Sequence, residues 1–426
     1  MDIYRVSEKE EGLSEKEIGE LLAESLNGRK LGRVLIVPPD FTRFPSRAGE
    51  ITRWYYHALT AMNVTVDILP ALGTHEPVSD AQRKKMFGDI PAESFHVHDW
   101  RNDVVPVGTV PSEVIREISD GLWDQEVTLE VNRMLTDPKY DLILSVGQVV
   151  PHEVIGMSNH AKNLFVGVGG SQIINQSHII GAVCGMEQAM GKDHTPVRRL
   201  FDYGMEHFLK DLPIVFVLTV CTAPHGDSVM HGLFIGDGRK CLERAVALSQ
   251  QKNIDFVDRG FRKCVVYLDP EEFHTTWLGN KAVYRTRTAM ADGGELIVLA
   301  PGIVKFGEDA TNDVLIRKYG YCGREKVLEL IRRPECGDLR ENYGAAAHLI
   351  HGSSDGRFTV TYAVQPEMKK EIEQVGYQYA DVAEMMRRYD PAKLAYGWNE
   401  VDGEEIFFIP NPALGLWIDS QRFGQN

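Results

Sequence analysis

Residues 151–178 read PHEVIGMSNHAKNLFVGVGGSQIINQSH and hold His152, Lys162 and His178. Two imidazoles and an amine offer a base, a metal ligand and a nucleophile. The segment directly follows an apolar run, DLILSVGQVV, that reads as a buried strand. Residues at the ends of such strands sit where α/β proteins build their sites. Taken alone, the same residues fit a satisfied histidine, a surface lysine and a loop histidine better. Two other loops shift that balance. PPDFTRFPSR (38–47) sets Asp40, Thr42 and Arg43 behind an apolar strand. An arginine there can clamp a carboxylate or phosphate with paired N–H donors; a turn in which Asp40 caps the next helix is the plainer alternative. GTHEP (73–77) projects His75 from another strand end, where a general base would stand, and Gly73 permits close backbone approach. A turn histidine is the plainer alternative there. Three strand ends that each present a polar group are the normal construction of an α/β active site.

The elements that must position these groups alternate along the chain. Ser14 and Glu17 form a capping box for a helix over 14–27, which Gly28 ends. RVLIVPPD (33–40) is a strand, 46–62 a helix, VTVDILPAL (64–72) a strand, and 80–87 a helix capped by Ser79. Further strands are expected at 94–100, 141–146, 213–220, 263–268 and 294–301, with helices at 237–256, around 275–290 and at 324–333. This order predicts an α/β protein of two α/β domains with mostly parallel sheets and the active site in the crevice between them. The expected division is 1–255 for catalysis and cofactor binding and 256–404 for a second domain contributing to the substrate pocket. A tail at about 405–426 is expected to pack back on the first.

Bulk properties exclude several classes. A chain of 426 residues suits two domains, and 43% hydrophobic with 25% charged residues is an ordinary globular balance. A net charge of −15 disfavours nonspecific binding to nucleic acid or anionic membranes. No apolar run reaches membrane-spanning length, and the acidic N-terminus is unlike a signal peptide, so a cytoplasmic location is expected. The 6 cysteines are scattered without a CxxC pair, which argues against a disulfide framework or a structural zinc site. GVGGS (167–171) lacks the spacing of a nucleotide fingerprint and reads as a tight turn. FHVHDW (95–100) puts His96 and His98 on one face of the expected strand; strand packing is favoured there over metal ligation.

In order and spacing, DFTR, GTH, PHEVIGMSNHAK and a histidine sixteen residues after that lysine resemble the lactate racemase family. The resemblance covers Val34 to His178 and extends more loosely to about Gly307. It implies a nickel pincer nucleotide, a pyridinium mononucleotide whose carbon and two sulfurs bind nickel, with His178 as the protein ligand. It implies Lys162 as a covalent tether, His75 and His152 as the two catalytic bases, and Arg43 and Lys281 as cations that position substrate. Asp40, Thr42, Ser158 and Asn159 fall at cofactor contacts. The implied activity is inversion at C2 of a 2-hydroxy acid by reversible hydride transfer, in a protein that depends on cofactor-biosynthesis partners and for which a homo-oligomer is an open expectation. The chain departs from the family at three places. Asn159-His160-Ala161 stands where Gly-Gly-Arg is usual, Leu278 where glutamine is common, and Glu76 in place of arginine. These changes argue against assuming lactate itself. An NAD-dependent hydroxyacid dehydrogenase and a non-catalytic carrier of a nickel or phosphorylated nucleotide are the alternative readings.

Overall fold

A computed structural model describes residues 1–223, 228–413 and 415–423. The chain divides into two compact units, Met1–Ser177 with Met190–Asn253 and His178–Ala189 with Ile254–Asn426. Leu414 and residues 424–426 of the expected tail lie outside the described residues.

The first unit runs β1 (Asp2–Val6), α1 (Glu15–Leu26), β2 (Arg33–Val37), α2 (Ala48–Ala61), β3 (Thr65–Ile68), α3 (Asp80–Phe87), β4 (Val104–Val110), α4 (Ser112–Ile118), β5 (Val127–Asn132), β6 (Leu142–Gln148) and a short hairpin, β7 (Pro151–His152) and β8 (Gly156–Met157). There follow α5 (Ser171–Cys184) and α6 (Met186–Ala189), which carry the chain into residues of the second unit, then α7 (Pro196–Phe208), β9 (Ile214–Thr222), β10 (Val229–Gly236) and α8 (Arg239–Lys252). Its six-stranded sheet has the order β1-β10-β9-β6-β2-β3. β9, β6, β2 and β3 run parallel; β10 and β1 close one edge antiparallel. Strands β2 and β6 are almost wholly buried, as expected for parallel strands that are covered on both faces. Capping boxes at Ser14–Glu17 and Ser79–Gln82 start α1 and α3. Ile18, Leu21, Leu22 and Leu26 of α1 and Ile51, Tyr55 and Leu59 of α2 pack on Val34, Ile36 and Leu144 of the sheet. Each such side chain contributes roughly 1.5–3 kcal/mol.

The second unit is also α/β. Its main sheet, β15-β14-β13-β12-β17-β16, is parallel from β15 (Gln378–Asp381) through β14 (Thr359–Val364), β13 (Met290–Leu299) and β12 (Phe261–Tyr267) to β17 (Glu404–Ile409). Strand β16 (Gly397–Val401) is antiparallel at the edge. Strands β11 (Asp255–Val257) and β18 (Trp417–Asp419) pair separately. The helix expected around 275–290 is two pieces, α9 (Thr276–Gly279) and α10 (Lys281–Thr286). They meet at Asn280, whose side chain bonds the hydroxyls of Tyr362 and Tyr377.

The strand expected at 94–100 does not form. A single bridge joins Phe95 to Ile68, and the chain then leaves the sheet. The alternating polar residues face different partners. His96 meets Asp67 at 3.1 Å, while His98 bonds the Gly169 carbonyl at 3.0 Å and the Asn132 side chain at 3.0 Å. Among the described residues no group of three or more His, Cys, Asp and Glu stands together to hold a metal ion, and no helix is long and apolar enough to cross a membrane.

The glycines of 167–171 serve close packing. A Cβ on Gly169 would lie 1.7 Å from the Phe165 carbonyl oxygen, and one on Gly170 would lie 2.1 Å from a Glu130 carboxylate oxygen. A backbone carbonyl cannot move aside as a side chain can. Gly169→Ala is therefore expected to destabilise the protein by about 3 kcal/mol, the upper part of the range for overpacking. A denaturant midpoint equal to wild type would contradict this packing.

Candidate functional site

Asp40 and His75 follow adjacent parallel strands. A bridge between Pro39 and Ala71 extends the pairing of β2 and β3 beyond their ends and brings the two loops side by side. The Asp40 side chain is buried, at 7% exposure, and the His75 ring is 60% exposed. His75 Nδ1 lies 2.6 Å from Asp40 Oδ2, and the Thr42 hydroxyl donates to Asp40 Oδ1 at 2.6 Å. Burial works to raise the Asp40 pKa, but the bonds from His75 and Thr42 and the charge of Arg43 outweigh it and hold the carboxyl below its ordinary value. An ionised Asp40 fixes the hydrogen of His75 on Nδ1 and leaves the Nε2 lone pair facing outward. This is the arrangement of a general base held by a buried carboxylate.

Lys162 begins the π-helical turn Asn163–Gly167. Asn163 anchors that turn by donating to the Val37 carbonyl and to Ser145, each at 3.0 Å, at β2 and β6. Buried Arg198 bonds the carbonyls of Met157 and Asn159 at 2.7 and 3.3 Å and holds the preceding loop. The Lys162 amine titrates at about 8. Desolvation is the largest cause and the cation of Arg43 the next; the carboxylates of Glu153 and Asp40 oppose them. Groups from three loops, Arg43 and Asp40 after β2, Glu153 in the β7–β8 hairpin and Lys162 itself, thus act on one another.

His152 is buried on β7, and its Nδ1 accepts the Val154 N–H at 3.1 Å. That bond requires a lone pair on Nδ1, so neutral His152 carries its hydrogen on Nε2. The two histidines therefore rest in opposite tautomers. The Ser158 hydroxyl donates to the Gln148 carbonyl and accepts from the Val150 N–H. Asn159 accepts from the His160 N–H, and both residues adopt left-handed backbone with φ of 65° and 57°. In the second unit, His178 lies half-buried on α5. Lys281 opens α10 with its amine 5.7 Å from the centre of the Phe273 ring. Arg198, Asn163, Glu153 and the Val154 amide act on the site but were not singled out from sequence. Arg198 lies on an amphipathic helix with no motif, and the other three gain their roles only from the fold around them.

The profile of the lactate racemase N-terminal domain family matches residues 10–191, which include Asp40, Thr42, Arg43, His75, His152, Lys162 and His178 but not Arg198. A lactate racemase from Thermoanaerobacterium thermosaccharolyticum is 28% identical over 185 residues, an alignment spanning 41% of this chain and 39% of that relative's length. Two solved structures share the fold over nearly the whole chain. A protein from Thermotoga maritima superposes with a TM-score of 0.78 at 24% identity, covering 96% of this chain and 99% of its own. The lactate racemase apoprotein from Thermoanaerobacterium thermosaccharolyticum gives 0.68 at 17% identity, covering 97% and 94%. Residues 10–191 are thus similar to the N-terminal domain of lactate racemases, and the chain as a whole has the fold of the lactate racemase apoprotein.

An amine that titrates near 8 reacts with acylating reagents at a pH where surface lysines, near 10.4, stay protonated. Lys162 acetylation, followed site by site by mass spectrometry, is expected to rise with a midpoint near pH 8. Arg43→Met removes a repelling cation and is expected to move that midpoint upward. A midpoint shared with the surface lysines would refute the desolvation of this half-buried residue's amine.

Proposed function

We propose that the protein is a racemase or epimerase that inverts the C2 centre of a 2-hydroxy acid with a nickel pincer nucleotide. The observation that carries this reading is the buried Asp40 carboxylate on the Nδ1 side of exposed His75, beside a lysine of lowered pKa.

The donor set fits such a cofactor. With no described cluster able to hold a bare ion, nickel that brings its own carbon and sulfur donors and needs one histidine suits this chain. His178 is the residue assigned to that ligand by the family resemblance. Lys162, with an appreciable uncharged fraction near neutral pH, suits covalent attachment of the nucleotide. Asp40, Thr42, Ser158 and Asn159 are assigned to contacts with it. Bound, the nucleotide supplies the acceptor for the C2 hydride.

The chain's own residues handle the proton and the carboxylate. His75 Nε2 accepts the hydroxyl proton, and Asp40 stabilises the imidazolium that forms. To return the proton from Nε2, and to take it up there in the reverse direction, His152 must carry a hydrogen on Nδ1, so the Val154 N–H is released in both directions. Arg43 offers a cation for the substrate carboxylate, and the family resemblance assigns Lys281 to the same task. Leu278 in place of a polar residue favours an acid other than lactate. The family resemblance also implies partners that make the cofactor, and a cytoplasmic setting suits that dependence.

The test uses protein produced together with the cofactor-making enzymes. It is expected to carry about one nickel per chain and to invert one enantiomer of at least one 2-hydroxy acid in a panel, without NAD, as read by chiral chromatography. Nickel-loaded protein that inverts none, or that requires NAD, would overturn the reading. Asp40→Asn is expected to lower kcat by on the order of 100-fold with a small change in KM, the size of a lost general base. For a pair of enantiomers both directions must fall together, because their equilibrium constant is fixed at unity. His178→Ala is expected to lose nickel, and full retention would refute its role as ligand.

A further inference from the structure

The first unit contains a cavity of about 480 Å³ apart from Asp40 and His75. Its wall includes the start of β9 (Leu212 to Phe216), Gly238 and Arg239 at the start of α8, and Arg29 ahead of β2. Asp40 and His75 follow the opposite, C-terminal ends of strands parallel to β9. The cavity therefore opens at the other end of the sheet.

His160 lines it. The ring is buried, at 4% exposure, and stacks on Phe216 with centroids 3.7 Å apart. Neither ring nitrogen meets a partner in good hydrogen-bond geometry, although the Gly238 backbone stands near enough to act on the ring. An unsatisfied buried polar group costs about 1–3 kcal/mol, and the left-handed backbone of His160 adds to that cost. Arg239 Nη1 is a second buried donor without a partner in the same wall. The start of α8 is a third source of donors. Gly238 caps it without a side chain and its first turn carries no acidic residue; the acidic residue next to the cap, Asp237, is paired with an ammonium.

Of the three carboxylates in the wall, Asp202 and Asp237 are engaged and Glu206 is exposed to solvent. Asp202 accepts from Arg239 Nε at 3.0 Å, and Asp237 holds the chain's own ammonium at 2.9 Å. Lys210 adds a cation at the exposed rim. Met205, Leu209 and Leu212 give the rest of the wall an apolar character. Unsatisfied donors on one side and an apolar lining on the other fit an acceptor-rich head on a short hydrocarbon body.

We propose that this cavity binds a small organic oxyanion, with its carboxylate or phosphate received by His160, Arg239 and the N-terminus of α8. The site is separate from the Asp40–His75 pair and does not depend on the racemase reading.

The test measures binding of two probes, inorganic phosphate and hexanoate, to the full chain by calorimetry and by thermal unfolding. His160→Phe keeps the stack on Phe216 and removes both unsatisfied nitrogens. It is expected to unfold at a higher temperature than wild type without a probe, and to bind about tenfold more weakly, the loss of one hydrogen bond to a charged group. Lys210→Glu, at the exposed rim, reads the same loss without disturbing the interior. Binding of either probe to wild type, weakened in both variants, is the expected result, and the probe that binds identifies the head group. No binding of either probe to wild type, or equal binding to wild type and both variants, overturns the proposal.

Discussion

One hydrogen bond between a buried carboxylate and an exposed imidazole organises the candidate site. Asp40 lies at the floor of the loop after β2, and His75 reaches it from the loop after β3 at 2.6 Å. A buried, unpaired carboxylate would tend to take up a proton. His75, Thr42 and Arg43 keep Asp40 ionised, and ionised Asp40 in turn sets which nitrogen of His75 is free. The bond requires β2 and β3 to be parallel neighbours in register, and this gives the packing of α1 and α2 on the sheet a bearing on chemistry.

The same sheet places the amine. Lys162 is held from both sides in sequence, by Arg198 on the carbonyls of Met157 and Asn159 and by Asn163 on Val37 and Ser145. Arg198 is fully buried, and its carbonyl bonds orient a loop that contains two residues of positive φ. Rigid anchoring on either side keeps the amine desolvated and lowers its pKa. The site is thus a set of loop residues fixed by strand ends, which explains why so many of its contacts run to backbone carbonyls.

Much of this was legible in the sequence. Apolar runs bounded by Pro, Gly and Asp marked β2, β3, β6, β9, β12 and β13 within a few residues, and serine caps marked the starts of α1 and α3. The elements missed have weaker patterns. Pro106 and Gly108 flank a register shift in the β4–β5 hairpin, and edge strand β1 begins at the second residue of the chain. The run 94–100 misled because a period of two is also what a turn shows when successive histidines reach to different sides. Asp40 and His75 were each visible as candidates. Their partnership was not, because it depends on strand order rather than on spacing along the chain. Likewise His160 stood out only as a departure from the family pattern; its unsatisfied nitrogens follow from the fold over Phe216.

The central claim is that Asp40 sets the tautomer of His75, and ¹⁵N NMR of the imidazole reads this directly. In protein labelled at histidine and held above the imidazole titration, His75 is expected to show a protonated Nδ1 and a bare Nε2. Asp40→Asn, assigned against a His75→Gln control, is expected to shift the population toward the Nε2–H form that predominates for free histidine. A wild-type His75 already in the Nε2–H form, or a population that Asp40→Asn leaves unchanged, would contradict the account.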